Sequence, residues 1–109
     1  DGSAVRDYIH VSDLAFAHTQ SLMKIKTSNE SCCLNLGTGS GLSVMQIIKN
    51  VEAVSNKKVK YKIMPRREGD PSVLIADSSL AIKEIGWSPK YSDISKIIET
   101  SIKWYKKTC

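Results

Sequence analysis

Two spacings of apolar residues run through the chain, one of period two and one of helical period, and they alternate along it. Asp7-Tyr8-Ile9-His10-Val11 is rich in β-formers and predicts a strand. Ser12 follows as an expected N-cap with Asp13 in the first turn, and Leu14, Ala17, Leu22 and Ile25 supply a helical apolar stripe. After the polar stretch 27–31, the apolar run Cys32-Cys33-Leu34-Asn35-Leu36 predicts a buried strand. Gly37-Thr38-Gly39-Ser40-Gly41 breaks it. Ser43 and Gln46 then match a capping box, opening a helix through Ile47, Ile48, Val51 and Val54 that stops near Asn56.

Val59-Lys60-Tyr61-Lys62-Ile63-Met64 alternates apolar and polar, which predicts a half-buried strand ended by Pro65. A charged loop over 66–72 leads to a short extended run, Val73-Leu74-Ile75. Asp77 is expected to cap a short helix over 78–85 that Gly86 stops. Ser92 is expected to cap the last helix, with Ile94, Ile97, Ile98, Ile102 and Tyr105 on one face. The order is strand-helix-strand-helix-strand-helix-helix, an α/β chain whose strands are covered by helices.

Composition narrows this little. The chain has 109 residues, enough for one small domain with a modest core, and 41% of them are hydrophobic. It opens on Asp1 rather than Met, as expected of a processed chain, an excised piece or a fragment. No signal peptide and no membrane-spanning run is seen. Sixteen basic and eleven acidic residues give a net charge of +5, which suits an anionic ligand. Lys57, Lys58, Lys60 and Lys62, and Lys103, Lys106 and Lys107 at the end, read as solvated faces rather than a nucleic-acid patch. Cys32, Cys33 and Cys109 make a poor disulfide framework and no zinc spacing, so reduced thiols and a cytoplasmic location are expected.

Three segments could carry chemistry. The glycine loop resembles a dinucleotide fingerprint, but its third glycine comes one residue early for G-x-G-x-x-G, and no acid ends a strand about 20 residues on. It reads as a tight strand-to-helix turn. In the first strand, alternation would set Arg6, Tyr8 and His10 on one face. Arg offers a two-pronged donor for phosphate oxygens and Tyr a flat ring, although the residues alone favour a solvent-facing strand in which Arg6 pairs with a nearby carboxylate. Arg66-Arg67-Glu68-Gly69-Asp70-Pro71 can clamp a diphosphate, with Asp70 accepting from ribose hydroxyls, or can be a surface turn of self-paired charges.

Taken together, three stretches resemble signatures of the UDP-glucose 4-epimerases, in the extended short-chain dehydrogenase/reductase family. They are Arg6-Asp7-Tyr8-Ile9-His10-Val11-Ser12-Asp13-Leu14-Ala15, Asn35-Leu36-Gly37-Thr38-Gly39-Ser40-Gly41-Leu42-Ser43-Val44 and Pro65-Arg66-Arg67-Glu68-Gly69-Asp70. Asp77-Ser78-Ser79-Leu80-Ala81 and the Gly86-Trp87 pair continue the match. The resemblance implies an enzyme that interconverts UDP-glucose and UDP-galactose. NAD takes hydride from C4, a Tyr removes the hydroxyl proton, the 4-keto sugar turns over, and hydride returns to the opposite face.

It further implies that residues 1–109 form a single C-terminal UDP-sugar-binding portion of that α/β fold, without the main Rossmann part. No G-x-x-G-x-x-G is present, and Tyr8, Tyr61, Tyr91 and Tyr105 all lack a Lys four residues on. NAD is therefore expected on the N-terminal part, no catalytic residue is expected here, and the chain is expected to be inactive alone. By resemblance, Arg6 and Arg67 grip the diphosphate, Asp70 takes the ribose hydroxyls, Tyr8 lies beside the nucleotide, and Leu74 lines the sugar end. The implied partners are a UDP-sugar and the Rossmann part, with self-association of the chain through the face that part would cover. Alternatives are another nucleotide-sugar epimerase or dehydratase, or a basic anion-binding module without catalysis.

Overall fold

The computed structural model describes residues 1–108, and Cys109 lies outside the described residues. The elements alternate strand-helix-strand-helix-strand-helix-helix, as the pattern predicts, but the strands are short; two lie elsewhere, and the third falls in the extended run expected over 73–75. β1 (Val5–Arg6) is the middle strand of three. β2 (Leu42–Ser43) pairs with it antiparallel, and β3 (Val73–Leu74) pairs with it parallel, with Arg6 opposite Leu74. The Val5 amide donates to Ser72 O at 2.9 Å, starting the parallel ladder.

The strand expected over 7–11 is not formed. Past Arg6 the Asp7 carboxylate is taken up by the glycine loop, and the His10 amide donates to Ser92 Oγ at 2.9 Å, so the backbone leaves the sheet. Helix α1 (Val11–Ser28) starts one residue before the expected cap: His10, not Ser12, is the N-cap, its Nδ1 accepting from the Ser12 amide. Asn29 ends α1 in the left-handed region. Only part of the expected stripe is covered: Ala17 is buried and Leu14 half-buried, while Leu22 and Ile25 are exposed.

The runs 32–36 and 59–64 are not strands either. A strand needs a neighbour to satisfy its amides and carbonyls. Neither run has one among the described residues. Cys32 and Cys33, expected in a core strand, are exposed. Tyr61, Ile63 and Met64 are exposed as well.

Local chemistry places the helices better. α2 (Val44–Ser55) carries the full capping box: Gln46 N donates to Ser43 Oγ, and Ser43 N donates to Gln46 Oε1. Asn56 closes it in the left-handed region. α3 (Ser79–Ile85) is N-capped by Ser78 rather than Asp77, although Asp77 Oδ1 still accepts from the Ser79 amide at 3.0 Å. Gly86 stops α3 at φ 62°. α4 (Ile94–Thr108) packs on α2 through a face on which Ile98 is buried. The Ser92 hydroxyl is spent on Asp13 rather than on a cap, and Tyr105, expected on the apolar face, is 67% exposed.

The core is small. Ala17, Ala81 and Trp87 are its buried members, with Ile9, Leu34, Leu36 and Ile85 packed against them. Trp87 is fully covered, and its Nε1 donates to the carbonyl of Asp13 at 2.8 Å. Beside it, the buried Asp13 carboxylate accepts from the Lys90 and Tyr91 amides and from the Ser92 hydroxyl, which ties α1 to the start of α4. The chain exposes 8185 Å² and has a radius of gyration of 16.5 Å. A folded monomer of this size exposes about 6,000 Å² and has a radius near 13 Å.

Candidate functional site

Arg6, Arg67 and Asp70 come together although 64 residues separate the first from the last. Arg6 Nη2 lies 2.7 Å from Asp70 Oδ1, and both side chains are partly buried. Arg67 Nη2 lies 3.8 Å from the other oxygen, Asp70 Oδ2, on a side chain that is 87% exposed. Asp70 thus stands between two guanidinium groups. Arg6 also donates to its neighbour's carbonyl, Val5 O, at 2.8 Å, which fixes its direction. Arg66 lies beside the same opening but donates to Ser3 Oγ, leaving Arg67 as the arginine of that loop that reaches Asp70.

Leu74 joins the group through the sheet, directly opposite Arg6, with more than half of its surface open. Arg67 and Asp70 also line a cleft of about 310 Å³. Its apolar walls come from Val44, Met45 and Ile48 of α2 and from Tyr61, Ile63 and Met64 of the extended run. The exposed apolar residues of that run therefore form one wall of this opening.

The common face predicted for Arg6, Tyr8 and His10 is not observed, because the strand that would create it ends at Arg6. Tyr8 lines a separate depression with Thr38, Ser40 and Leu42 on one side and Ser92, Asp93 and Ile94 on the other. His10 is buried, its Nε2 2.8 Å from Thr100 Oγ1 and its ring 6.0 Å from that of Tyr91, so it is a structural histidine.

Asp7 is the residue that the sequence did not single out. Its Oδ1 accepts from the Thr38 amide at 3.0 Å and the Thr38 hydroxyl at 2.6 Å. Its Oδ2 accepts from the Gly39 amide at 3.0 Å and the Ala76 amide at 3.4 Å. Burial pushes this carboxyl up, but the Thr38 hydroxyl and the three amides outweigh it and hold it below its ordinary value. The glycine loop thus spends its Thr38 and Gly39 amides on an internal carboxylate. Gly37 must lack a side chain, since a Cβ there would lie 2.6 Å from both Asp7 Oδ2 and the Ala76 Cβ. A loop so rich in free amides beside an acid on the neighbouring segment was the available signal.

Chemically, Arg67 and Asp70 line an apolar cleft, with the Arg6 guanidinium held behind them against Asp70. That arrangement can hold a doubly charged anion next to a group bearing hydroxyls. Among the described residues no group of His, Cys, Asp and Glu could hold a metal ion, and no helix is long and apolar enough to cross a membrane.

Comparison with known proteins is consistent across sequence and structure, although no family model matches the chain. The UDP-glucose 4-epimerase of Lacticaseibacillus casei is 43% identical over 106 residues, covering 97% of this chain and 32% of that protein. The crystal structure of UDP-glucose 4-epimerase from Stenotrophomonas maltophila, with NAD and formylated UDP-arabinopyranose bound, superposes with a TM-score of 0.92 at 42% identity. That match covers 99% of this chain and 32% of that one. The enzyme from Bifidobacterium longum, in complex with NAD+ and UDP, gives a TM-score of 0.85 at 40% identity over 98% of this chain and 31% of its own. The chain spans about a third of the length of these relatives. It is accordingly a homologue of one portion of the UDP-glucose 4-epimerases, an α/β piece of the NAD-dependent extended short-chain dehydrogenase/reductase fold.

Proposed function

We propose that this chain is the C-terminal, UDP-sugar-binding part of a UDP-glucose 4-epimerase, in which Arg6 and Arg67 grip the diphosphate and Asp70 takes the ribose hydroxyls. The observation that carries the proposal is the convergence of both arginines on Asp70, which with Arg67 lines an apolar cleft. Opposite guanidinium groups match the charge of a diphosphate, and a carboxylate between them is an acceptor for paired hydroxyls. Tyr8 stands beside the nucleotide from its own depression, and Leu74, across the sheet from Arg6, lines the sugar end.

In this reading NAD and the Tyr–Lys pair belong to an N-terminal Rossmann part. Neither the hydride acceptor nor the base is supplied by these 109 residues. The isolated chain binds the nucleotide sugar and does not turn it over. Its working place is the cytoplasm, where the exposed Cys32 and Cys33 stay reduced. The excess exposed surface is the face that the Rossmann part covers, and without that part the chain associates with itself.

The test is titration of the chain with UDP, followed by NMR, together with a turnover assay on UDP-galactose with added NAD. The proposal expects saturable shifts at Arg6, Arg67 and Asp70, at least tenfold weaker binding in Arg67→Ala, and no product. Turnover by the pure chain refutes the assignment of the chemistry to another part. Shifts confined to the lysine-rich end of α4 favour a basic anion-binding module instead.

A further inference from the structure

The parallel pairing of β1 with β3 is two residues long, yet it places Arg6 beside Leu74. β3 is exposed at Val73, Leu74 and the following Ile75, so little packing holds it in place. Beyond Arg6 the backbone ladder stops, and what continues it is a side chain. Asp7 Oδ2 accepts from the amide of Ala76, two residues past Leu74. The same carboxylate holds Thr38 and Gly39 of the loop that, with Ser40, walls the depression beside Tyr8. Ser78, buried just beyond, donates its hydroxyl to Gly37 O at 2.7 Å and braces the loop against the same segment.

We propose that Asp7 is a positioning residue of the nucleotide-sugar site, a carboxylate clamp that sets the Tyr8 depression and the Arg6–Leu74 edge in fixed relation. The inference rests on the reading of the cleft as a nucleotide-sugar site and adds to it a residue that touches no ligand. Asp7 lies in the chain between Arg6 and Tyr8, and its three amide partners come from the two segments that flank them. An ionised carboxylate accepts all four bonds at once. An Asn side chain has one acceptor oxygen, and its NH₂ confronts donors that it cannot satisfy. The clamp depends on that ionised form, which the surrounding donors favour at neutral pH.

The test uses the 109-residue chain and two measurements: amide exchange in the free protein and the Kd for UDP. Asp7→Asn is expected to speed exchange at Thr38, Gly39 and Ala76 together and, by loosening the site, to raise the Kd about tenfold. Thr38→Ser keeps the hydroxyl donor and Thr38→Val removes it, so Thr38→Val should bind UDP more weakly than Thr38→Ser. Trp87→Phe serves as a stability control, because Trp87 is in the core and its Nε1 bonds to Asp13 O, away from the cleft. It should lower thermal stability and leave the Kd unchanged.

The proposal is overturned if Asp7→Asn, folded, binds UDP like the parent, or if Trp87→Phe weakens binding equally. Should Asp7→Asn fail to fold, Thr38→Val and Thr38→Ser decide, and equal affinities in those two overturn it. A parental chain that gives no response to UDP removes the nucleotide reading of the cleft. The clamp is then judged on the free protein, where concerted exchange at the three amides upholds it and independent exchange overturns it.

Discussion

Leu74 brings a short aliphatic group to the sugar end of the proposed site, opposite Arg6. A large aromatic at that position would fill the space around a sugar's C2 substituent. On the proposed assignment, the smaller Leu would leave room for an N-acetyl group, whose methyl would gain about 1 kcal/mol from burial against it. The enzyme formed with the complementary part is therefore expected to accept UDP-N-acetylglucosamine besides UDP-glucose. In Leu74→Tyr the kcat/KM ratio of the two sugars should fall about fivefold for the N-acetylated one, in line with that energy. An unchanged ratio means that Leu74 does not set the pocket size.

Asp13 makes a prediction about pH at the same scale. Burial raises its pKa, but the Ser92 hydroxyl, the Lys90 and Tyr91 amides and the nearby His10 lower it further, so the folded value lies below the unfolded one. Its contribution to stability is thus present above the unfolded value of about 4 and is lost as pH falls through the folded value. Thermal midpoints measured from pH 6 to pH 2 should drop on the acid side, and the drop should be shallower in Asp13→Asn. A parallel acid limb in the variant would contradict this. The partners of Asp7 and Asp13 were not legible in the sequence for one reason: they are far away in the chain. Thr38 is 31 residues from Asp7, Ala76 is 69 away, and Ser92 is 79 from Asp13. Arg6, Arg67 and Asp70 were legible as candidates by resemblance, while their convergence needed the fold.

At the scale of elements, what was legible is what local chemistry decides. The capping box of α2 and the glycine stop of α3 each involve residues within one turn, and both are in place. Ser43→Ala should cost about 1 kcal/mol, because it leaves the Gln46 amide without its acceptor at the head of the helix. Chemical denaturation at constant m-value measures this, and a change under about 0.3 kcal/mol would show that α2 is held by its packing on α4 alone. Strands were less legible, and of the extended runs that the pattern predicts, only 73–75 holds one. The run 32–36 has the composition of a buried strand, but composition supplies only one side of a ladder. The same holds for 59–64. The strands that formed, at 5–6, 42–43 and 73–74, are those whose partners exist within the chain.

For the whole molecule, the surplus of about 2,000 Å² of exposed surface exceeds the roughly 800 Å² that one partner contributes to an ordinary interface. Much of it is apolar: Leu22, Met23 and Ile25 on α1 and Trp104 and Tyr105 on α4 are all open. Sedimentation over a range of concentrations should show oligomers growing with concentration, and a monomer throughout would argue against it. The order of the sheet has a consequence for biosynthesis. β1 is central in space but precedes both partners in the chain. Arg6 leaves the ribosome 64 residues before Asp70, roughly 3 to 13 seconds earlier at bacterial and eukaryotic elongation rates. In that interval α1 can wind and the β1–β2 pair can close, but Arg6 has no counter-charge. The anion site cannot assemble before Asp70 emerges, although the Trp87 core and α4 come later still, and a ribosome stalled before Asp70 would display a nascent chain whose Arg6 lacks that partner.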